Sequence, residues 1–344
     1  MTENSLTDYI SQCYRSILRR EPDAAGLSHY LREMVEGRLS KEGLVMSLKS
    51  SEEYVLSNKP STSFNSYTKV VDVTNLDHNE LTSKLNEANT ALLQDYLLNS
   101  TIVPGPKEEL RHYVEDAFFR FIKTLQMIPV DATGKLLEMG SNPYFTTTLL
   151  KKFRKLDLYG ANFFSTPDDS IVQTVFNEKY GEKFVYESKL FNIEKSIFPY
   201  PDSTFDYVLF CEIIEHLVEN PIHVLEQIFR ILKPKGTIIL TTPNVARASN
   251  IEKLSRGENI YDPYSKYGIY GRHNREYTIH ELTELLSKTG FEVKMSFTKF
   301  VHVKKPDSNW WRLTDTDSFK GDYIFISATK KEKFEMYKPS WLFR

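Results

Sequence analysis

The chain has 344 residues, and its 44 basic and 46 acidic side chains leave a formal charge of −2, so no global field directs it to nucleic acid or to an anionic membrane. Its length suits one large α/β domain with a smaller module. Because it has only two cysteines, no secretory signal and no apolar run near the ~18 residues of a membrane span, we expect a cytoplasmic protein with neither disulfides nor a transmembrane segment.

Residues 1–57 are predicted to form a small all-α module. Apolar side chains recur at helical spacing in three segments: Ile10 to Leu18, Leu27 to Met34, and Leu44 to Leu48. Asp23 and Ser40 are suitable N-caps for the second and third helices, and Gly37 can end the second.

The segment from Tyr14 to Tyr54 carries an RREPDAAG core and a trailing S-x-E-Y. With these features it resembles a short domain of unknown function found beside glycosyltransferases and in bacterial surface and calcium-binding exoproteins. The resemblance implies a docking or glycan-proximal module, with glycosyltransferases as its partners. The alternative is a folded appendage without a binding role.

Residues 58–106 are predicted to be a polar linker followed by a helix near Glu80 to Leu98. A helix from Lys107 to Met127, apolar on one side, then opens a large domain over 107–330. The C-terminal tail, 331–344, has aromatic residues that we expect to fold back on this domain.

The first strand of the large domain leads into a turn with Glu138 and Gly140, and a helix from Phe145 to Phe153 follows. Gly140 lets a ligand approach the backbone, and the helix start offers unpaired N–H groups, although a dinucleotide-binding turn would have three glycines. Later strands are predicted to end at Asn162 and near Asn192.

Residues 205–244 are predicted to be a strand–helix–strand unit. An apolar strand precedes a helix whose first turn holds Glu212, Glu215 and His216, and a second helix leads to another apolar strand. Continuous apolar strands joined through helices imply a parallel sheet covered on both faces. Ligands of such sheets bind beyond the carboxyl ends of the strands, where Cys211 also lies.

Four segments occur in a fixed order: Glu138-x-Gly140, FPYPDSTFDYVLFCEIIEHL, RILKPKGTIILTTPN and TGFEV. Together they resemble the class I S-adenosylmethionine-dependent methyltransferases over roughly residues 130–330. The resemblance implies an α/β fold with a Rossmann-like sheet of seven strands, whose last strand, Asp322 to Thr329, runs antiparallel. It also implies methyl transfer from S-adenosyl-L-methionine.

By this resemblance, Glu138 would meet the methionine amino group of the cofactor, and Gly140 would let the cofactor lie against the backbone. Asn162 stands where the family usually has an acid for the ribose hydroxyls, and Asn192 where it often has an Asp near the adenine; Cys211 borders the cofactor site. An amide oxygen accepts a hydrogen bond but lacks the charge that strengthens it. A non-catalytic scaffold that retains the fold is therefore an alternative.

Glu212, Glu215 and His216 are predicted to share a helix face, since positions i, i+3 and i+4 are neighbours. This E-x-x-E-H resembles the metal-binding element of small-RNA 2′-O-methyltransferases and ubiquinone-pathway O-methyltransferases, which implies a divalent ion such as Mg²⁺ or Mn²⁺. The ion would lower the pKa of an acceptor hydroxyl. The alternatives are His216 as a metal-free general base and a helix start without a metal.

The loop from Tyr261 to Thr278 is predicted to cover the carboxyl edge of the sheet, where an acceptor must enter. Its aromatic faces and its Arg and Asn donors suit a sugar, which has apolar ring faces and hydroxyl edges. His273 could also act in catalysis beside His216 or complete the metal site. The candidate substrate-binding residues are Tyr270, Arg272, His273, Arg275 and Tyr277. The alternative is a loop that only packs on its own domain.

We therefore expect O-methylation of a sugar in surface polysaccharide or glycoconjugate biosynthesis, with a carbohydrate or glycoconjugate as acceptor. One alternative is a methyltransferase for a small aromatic or lipid-quinone acceptor, which would need an apolar pocket above Cys211. The other is the scaffold without catalytic activity.

Overall fold

The structure is a computed structural model, and it describes residues 3–18, 20–49, 51, 71–72, 84–103, 107–164, 166, 168–266, 268–301 and 319–344. The chain divides into two compact units. The first comprises Met1–Ser66, Phe163–Asp169 and Leu190–Pro201, and the second comprises Tyr67–Asn162, Ser170–Lys189 and Asp202–Arg344. Of the linker and helix predicted over 58–106, only residues 71–72 and 84–103 are described.

The N-terminal module has the three helices that the sequence predicts: α1 (Glu3–Ile17), α2 (Ala24–Val35) and α3 (Lys41–Lys49). The N–H of Gly26 donates to Asp23 Oδ1 at 2.8 Å, and the N–H of Gly43 donates to Ser40 Oγ at 3.0 Å, so both predicted caps are confirmed. A buried apolar cluster holds the helices together: Ile10, Cys13, Tyr14, Ile17, Leu44 and Leu48.

The second unit contains further helices: α4 (Thr90–Leu98), α5 (Lys107–Gln126), α6 (Phe145–Phe153), α7 (Pro221–Ile231), α8 (Ala248–Ser255) and α9 (Ile279–Thr289). The strands are β1 (Val71–Asp72), β2 (Thr101–Val103), β3 (Thr133–Met139), β4 (Lys155–Asn162), β5 (Ser170–Asn177), β6 (Glu182–Leu190), β7 (Phe205–Cys211), β8 (Leu232–Pro243), β9 (Phe291–Lys299) and β10 (Tyr323–Lys330). None of the described helices is both long and apolar enough to cross a membrane.

The described strands form one ten-stranded sheet in the order β2-β5-β6-β4-β3-β7-β8-β10-β9, with β1 paired to β6. β3 is parallel to β4 and β7, and β7 is parallel to β8, which confirms the predicted α/β fold class. β10 lies antiparallel between β8 and β9, which confirms the antiparallel last strand. The prediction of seven strands was wrong, because β5 forms an antiparallel hairpin with β6 and β2 and β1 extend the pairing.

The middle of the sheet is buried on both faces. Leu136 and Leu137 of β3, Val208 to Phe210 of β7 and Ile238 to Leu240 of β8 are at most 1% exposed. Burying each such side chain contributes roughly 1.5–3 kcal/mol. Since these strands are parallel, their carboxyl ends meet at one edge, and the register places Cys211 opposite Thr241.

The helix predicted to hold Glu212, Glu215 and His216 is not formed. The N–H of Glu212 donates to the carbonyl of Thr241 at 2.8 Å and so extends the pairing of β7 with β8. Glu212 itself has a φ of 54°, in the left-handed region, and only a short 3₁₀ turn over Ile214–His216 follows. Because Glu212 precedes the turn instead of lying on it, the three side chains do not share a helix face.

The C-terminal tail packs on α9, as predicted. Trp341 Nε1 donates to Glu284 Oε2 at 3.2 Å, and the Tyr337 hydroxyl donates to the other oxygen of the same carboxylate. Arg275 Nη2 donates to the carbonyl of Trp341 at 3.2 Å. The tail therefore holds a residue of the Tyr261–Thr278 loop in place.

Candidate functional site

Glu138 is the penultimate residue of β3, where it pairs with Gly160 and Leu209 of the neighbouring strands. The prediction that Glu138 lies in the following turn was therefore wrong, whereas Gly140 does begin that turn. Glu138 is buried and accepts a hydrogen bond from the Thr147 hydroxyl. Burial raises the pKa of Glu138 to about 8, although this hydrogen bond and the charge of Arg120 oppose the shift. Gly140 has a φ of 65°, which favours glycine, and a Cβ built on it would lie 3.2 Å from Ile213 Cδ1. The missing side chain therefore leaves a narrow space over the backbone.

Asn162 ends β4, and its amide is engaged by the neighbouring turn. The N–H of Asn142 donates to Asn162 Oδ1 at 2.9 Å, and Asn162 Nδ2 donates to Ser141 Oγ at 3.1 Å. An amide oxygen has two lone pairs. Asn162 thus supports the turn after β3 and still has acceptor capacity for a ligand.

Two further residues predicted to contact a cofactor lie in different units. Asn192 belongs to the first unit, where its Oδ1 accepts a hydrogen bond from the N–H of Glu194 at 2.9 Å. Cys211 ends β7 in the second unit, and its thiol donates to the carbonyl of Ile239 at 3.8 Å. Burial raises the pKa of Cys211 to about 12, so the thiol is not a thiolate nucleophile near neutral pH.

Glu212 faces a buried arginine. Its Oε1 accepts from the Thr241 hydroxyl at 2.8 Å, and its Oε2 lies 3.8 Å from Arg120 Nε. The side chains of Arg120 and Glu212 are 5% and 16% exposed. Arg120 also donates to the Tyr113 hydroxyl at 2.6 Å and lies over the ring of Tyr323. Burial raises the pKa of Glu212, and the charge of Arg120 opposes that shift.

Glu215, His216 and His273 come together as a candidate metal-binding cluster, with one ligand atom from each within 4.8 Å of the others. Glu215 is fully buried, and its Oε2 accepts from the Thr242 hydroxyl at 2.7 Å. Its Oε1 has no hydrogen-bond partner among the described residues and lies 3.9 Å from His216 Nε2. The two imidazole rings are 5.0 Å apart between centroids.

The outer nitrogens of both imidazoles are hydrogen-bonded, which orients the rings. His216 Nδ1 donates to the carbonyl of Arg272 at 2.9 Å. His273 Nδ1 lies 2.9 Å from Glu276 Oε1, and Arg247 donates to the other oxygen of that carboxylate. In the neutral rings this leaves the Nε2 lone pairs available, and such outer contacts are the usual support of metal-binding imidazoles.

The cluster is electrostatically suited to a positive charge. Burial, and then the charge of Glu212, raise the pKa of Glu215 to about 8. Burial and the neighbouring His273 lower the pKa of His216. Burial acts to lower the pKa of His273, but the hydrogen bond to Glu276 and the charge of Glu215 outweigh it, so this pKa is raised. The carboxylates therefore stabilise a cation or a proton at this position.

A polar cavity of about 370 Å³ opens beside His273. The charged groups on its walls have hydrogen-bond or ion-pair partners, one of which, Arg247, lies outside the lining. Arg275 Nη2 donates to Glu281 Oε1 at 3.0 Å, Glu276 binds Arg247, and the N–H of His273 donates to Asp262 Oδ2 at 3.1 Å. The lining is completed by Val245, Ile260, Tyr261, Asn274 and Thr278.

The other predicted substrate-binding residues lie outside the lining of this cavity. The guanidinium of Arg272 is 4.7 Å from the ring centroid of Tyr264, and Tyr270 is half-buried nearby in the chain. Tyr277 is buried, and its carbonyl accepts from the N–H of Val245 at 3.0 Å. The structure thus brings only His273 and Arg275 of the five to the cavity.

The sequence reasoning missed Arg120 and Glu276. Arg120 lies on the apolar side of α5, three residues after Ala117 and next to Phe121. A charged residue on an apolar stripe is a sequence signal that could have identified it, since buried charges are usually paired. Glu276 follows His273 by three residues in the loop, a weaker signal because loop spacing does not define contacts.

Comparisons with known sequences identify two families. A family model described as a methyltransferase domain matches residues 110–295, and a model described as a domain of unknown function, DUF4214, matches residues 2–58. A protein of Mycolicibacterium smegmatis named as a probable S-adenosylmethionine-dependent methyltransferase is 34% identical over 96 residues. That match covers 28% of this chain and only 32% of the relative.

Solved structures with a similar arrangement include a SAM-dependent methyltransferase from Archaeoglobus fulgidus, at 16% identity and a TM-score of 0.41, covering 64% of this chain and 94% of that one. Phosphoethanolamine N-methyltransferase 2 of Haemonchus contortus, in complex with S-adenosyl-L-methionine, is 14% identical with a TM-score of 0.42 and covers 70% of this chain and 60% of that one.

Proposed function

Because the chain belongs to the methyltransferase family whose model matches residues 110–295, we propose that it transfers a methyl group from S-adenosylmethionine to an oxygen atom of an acceptor. When bound, the cofactor supplies an electrophilic methyl group, and the protein has to hold and align the two partners. The end of β3 carries this proposal: Glu138 in the strand offers a carboxylate, and Gly140 after it offers backbone without a side chain, at the edge where such sheets bind ligands.

The residues at and after the end of β3, together with Asn162 at the end of β4, fit the cofactor chemically. A buried carboxylate with a raised pKa, such as that of Glu138, gains stability when an ammonium group approaches it, so it suits the methionine amino group. Gly140 would let the cofactor lie against the backbone, and Asn162 would accept a hydrogen bond from a ribose hydroxyl. Asn192 would contact the adenine, and Cys211 would border the cofactor.

Isothermal titration calorimetry with S-adenosylmethionine tests the proposal. We expect the wild type to bind, and Gly140→Val to raise the Kd by about 10–100-fold, because the added side chain fills the space over the backbone. Gly257→Val is the matched control, since Gly257 has a similar φ of 76° but no described atom within 4 Å of its Cβ position. If the wild type did not bind S-adenosylmethionine, the result would favour the alternative of a non-catalytic scaffold and refute the proposed methyl transfer.

We also propose that Glu215, His216 and His273 hold a divalent cation beside the acceptor. The support is the buried Glu215 Oε1, which has no hydrogen bond to the described residues, and the two oriented imidazoles around it. A bound cation would lower the pKa of an acceptor hydroxyl. One carboxylate and two nitrogens suit Mn²⁺ or Zn²⁺ better than Mg²⁺, which prefers oxygen. Glu212 remains a predicted further ligand, although its carboxylate faces Arg120.

Without a cation, His216 would serve as the general base. Its Nδ1 donates to the Arg272 carbonyl, so Nε2 is the nitrogen that can accept a proton from the acceptor. The choice between the two mechanisms is decided by chelation, because a chelator removes the cation and leaves the imidazole.

The acceptor that suits the cavity beside His273 is a sugar. The cavity measures about 370 Å³ and combines the ring of Tyr261 with amide, hydroxyl and guanidinium groups, which match the apolar faces and hydroxyl edges of a sugar ring. Because the charged groups of the cavity already have partners, the portion of the acceptor that enters the cavity fits better if it is uncharged than if it is strongly ionic. The polar walls also disfavour a lipid-quinone or small aromatic acceptor.

We expect Tyr261→Ala to raise the KM for a sugar acceptor by up to about 10-fold while the Kd for S-adenosylmethionine stays unchanged, because an aromatic contact is worth roughly 0.5–1.5 kcal/mol. Methyl transfer from labelled cofactor to a panel of nucleotide sugars and quinols measures this. Tyr264→Ala, in the same loop but outside the cavity lining, is the control. An equal rise in KM in both variants would instead place the acceptor beside Tyr264 and Arg272. Preferred methylation of quinols would refute the proposal that the acceptor is a sugar.

The biological setting that we propose is surface polysaccharide or glycoconjugate biosynthesis. Its support is the N-terminal module, which matches a domain of unknown function over residues 2–58 and resembles modules found beside glycosyltransferases. Such enzymes would be partners through the module. Co-purification of a glycosyltransferase with the full chain, and its loss when the module is deleted, would support this setting.

A further inference from the structure

The loop from Tyr261 to Thr278 is tied by its backbone to the short turn that carries Glu215 and His216. A helical turn leaves its last carbonyls without partners of its own. Here the N–H groups of Asn274 and Arg275 both donate to the carbonyl of Glu215, at 2.7 and 3.1 Å. The turn and the loop belong to the same compact unit. The loop therefore supplies hydrogen bonds to the end of the turn.

The side chain of Asn274 adds further contacts to these backbone bonds. Its Nδ2 donates to the carbonyl of His216 at 2.9 Å and to the carbonyl of Ile269 at 2.7 Å. Its Oδ1 accepts from Arg272 Nε at 3.2 Å. Because an amide group has two N–H donors, both donors of Asn274 are used inside the protein. One side chain thus joins the turn to the part of the loop that precedes it.

These contacts bear on the tautomer of His216, whose Nδ1 donates to the carbonyl of Arg272 at 2.9 Å. A carbonyl only accepts hydrogen bonds, so this contact keeps the proton of the neutral ring on Nδ1 and leaves the lone pair on Nε2. Arg272 is also the residue whose side chain binds Asn274. The nitrogen that a cation or an acceptor proton needs therefore depends on where the loop holds the Arg272 carbonyl.

His273 lies between Arg272 and Asn274 in the chain, so both of its neighbours are held against the turn. The ligand atoms of Glu215, His216 and His273 lie within 4.8 Å of one another. Because these groups come from two separate segments, their spacing is set by the contacts that join the segments. The side chain of Asn274 contacts both segments.

We infer that Asn274 is a positioning residue that keeps His216 in the Nδ1–H tautomer, an inference that rests on the function proposed for this cluster. By the same contacts it holds His273 beside Glu215. Asn274 acts through the backbone of the turn and the loop. Without its amide, the Arg272 carbonyl is no longer held against His216, and the proton of the ring moves between Nδ1 and Nε2. A protonated Nε2 can neither bind a cation nor accept a proton.

Nuclear magnetic resonance of the full chain with isotope-labelled histidine tests the inference, because the ring nitrogens give different shifts in the two tautomers. We expect the wild type to show His216 as Nδ1–H, and Asn274→Ala to show averaging between the tautomers. The spectrum of His216→Ala identifies the His216 signals. Asn259→Ala is the matched control, because Asn259 Oδ1 accepts from the N–H of Tyr261 at 2.9 Å, within its own segment. It should leave the His216 signals unchanged.

Cation binding gives a second measurement. We expect Asn274→Ala to raise the Kd for Mn²⁺ by about 10-fold, because the ligand atoms are no longer held together, while the Kd for S-adenosylmethionine stays unchanged. Asn259→Ala should keep both Kd values at those of the wild type. Circular dichroism checks that both variants are folded.

Asn274→Asp takes the place of Asn274→Ala if the alanine variant does not fold. Its carboxylate has nearly the shape of the amide and keeps an acceptor for Arg272, but it has no donor for the carbonyls of His216 and Ile269. We expect the same averaging of the His216 tautomers. The tautomer is the readout for this variant, because the added negative charge would itself attract a cation.

A wild-type His216 tautomer in the folded variant, or an unchanged Kd for Mn²⁺ in Asn274→Ala, would overturn the inference and leave the proposed methyl transfer standing. If the wild type did not bind Mn²⁺, the proposed cation would be refuted, and the tautomer of His216 alone would then decide the inference. If the tautomer changed as expected but the wild type transferred no methyl group, the proposed function would fail and the positioning role of Asn274 would stand.

Discussion

His273→Ala is expected to reduce methyl transfer by at least about 100-fold, while the Kd for S-adenosylmethionine stays near that of the wild type. The reason is that His273 is one of three side chains whose ligand atoms lie within 4.8 Å of one another. Its partner Glu215 is fully buried with one carboxylate oxygen that makes no hydrogen bond to the described residues. Removing the imidazole removes a ligand and leaves that oxygen without a cation.

The bound metal is measured directly as well as through activity. Elemental analysis and Mn²⁺ titration should show a divalent ion in the wild type and a large loss of affinity in His273→Ala. Glu276→Gln, which keeps the hydrogen bond to His273 but removes its charge, should weaken metal binding by about 10–100-fold. His112→Ala is the control, because His112 is highly exposed on α5.

Chelation distinguishes the metal from its alternative. If the cation activates the acceptor, excess chelator abolishes methyl transfer, added Mn²⁺ restores it, and cofactor binding is unchanged. Full activity in chelator, with no metal in the purified protein, would exclude the metal and leave His216 as the general base. In that case His216→Ala alone would inactivate the enzyme.

Arg120→Leu is expected to lower the free energy of unfolding by about 3–5 kcal/mol, the usual cost of removing one partner of a buried ion pair. Arg120 and Glu212 are 5% and 16% exposed, and their charged atoms lie 3.8 Å apart. Without the guanidinium, the carboxylate of Glu212 would be buried beside Glu215 with only the Thr241 hydroxyl as a partner. Urea unfolding followed by circular dichroism measures the loss.

A double-mutant cycle identifies the cause. Adding Glu212→Gln to Arg120→Leu should recover part of the stability, because the uncompensated charge is removed. Tyr113→Phe is the control, since it removes the 2.6 Å hydrogen bond to Arg120 but no charge, at a cost of about 1 kcal/mol. If the loss in free energy of unfolding of the double variant equalled the sum of the losses in Arg120→Leu and Glu212→Gln, the two charges would not be coupled.

Local sequence patterns determined most of the secondary structure. The caps Asp23 and Ser40 and the apolar spacing of the first helices predicted α1 to α3, because capping and helical periodicity involve residues within one or two turns. Continuous apolar runs predicted the buried parallel strands, including the end of β4 at Asn162, whereas β3 continues through Glu138 to Met139, past its predicted end. The approximate position of the turn after β3, with Gly140 in it and Glu138 just before it, therefore followed from local sequence alone.

Tertiary structure alone decided how the site is assembled. Glu212 takes a left-handed conformation, and its N–H pairs across the sheet with Thr241. Its side chain therefore meets Arg120 of α5 instead of sharing a helix face with Glu215 and His216. His273 reaches that pair from a distant loop. The hairpin of β5 with β6 and the placing of Asn192 beside the helical module are also long-range events. Local periodicity describes one element at a time, whereas these contacts depend on how separate elements pack.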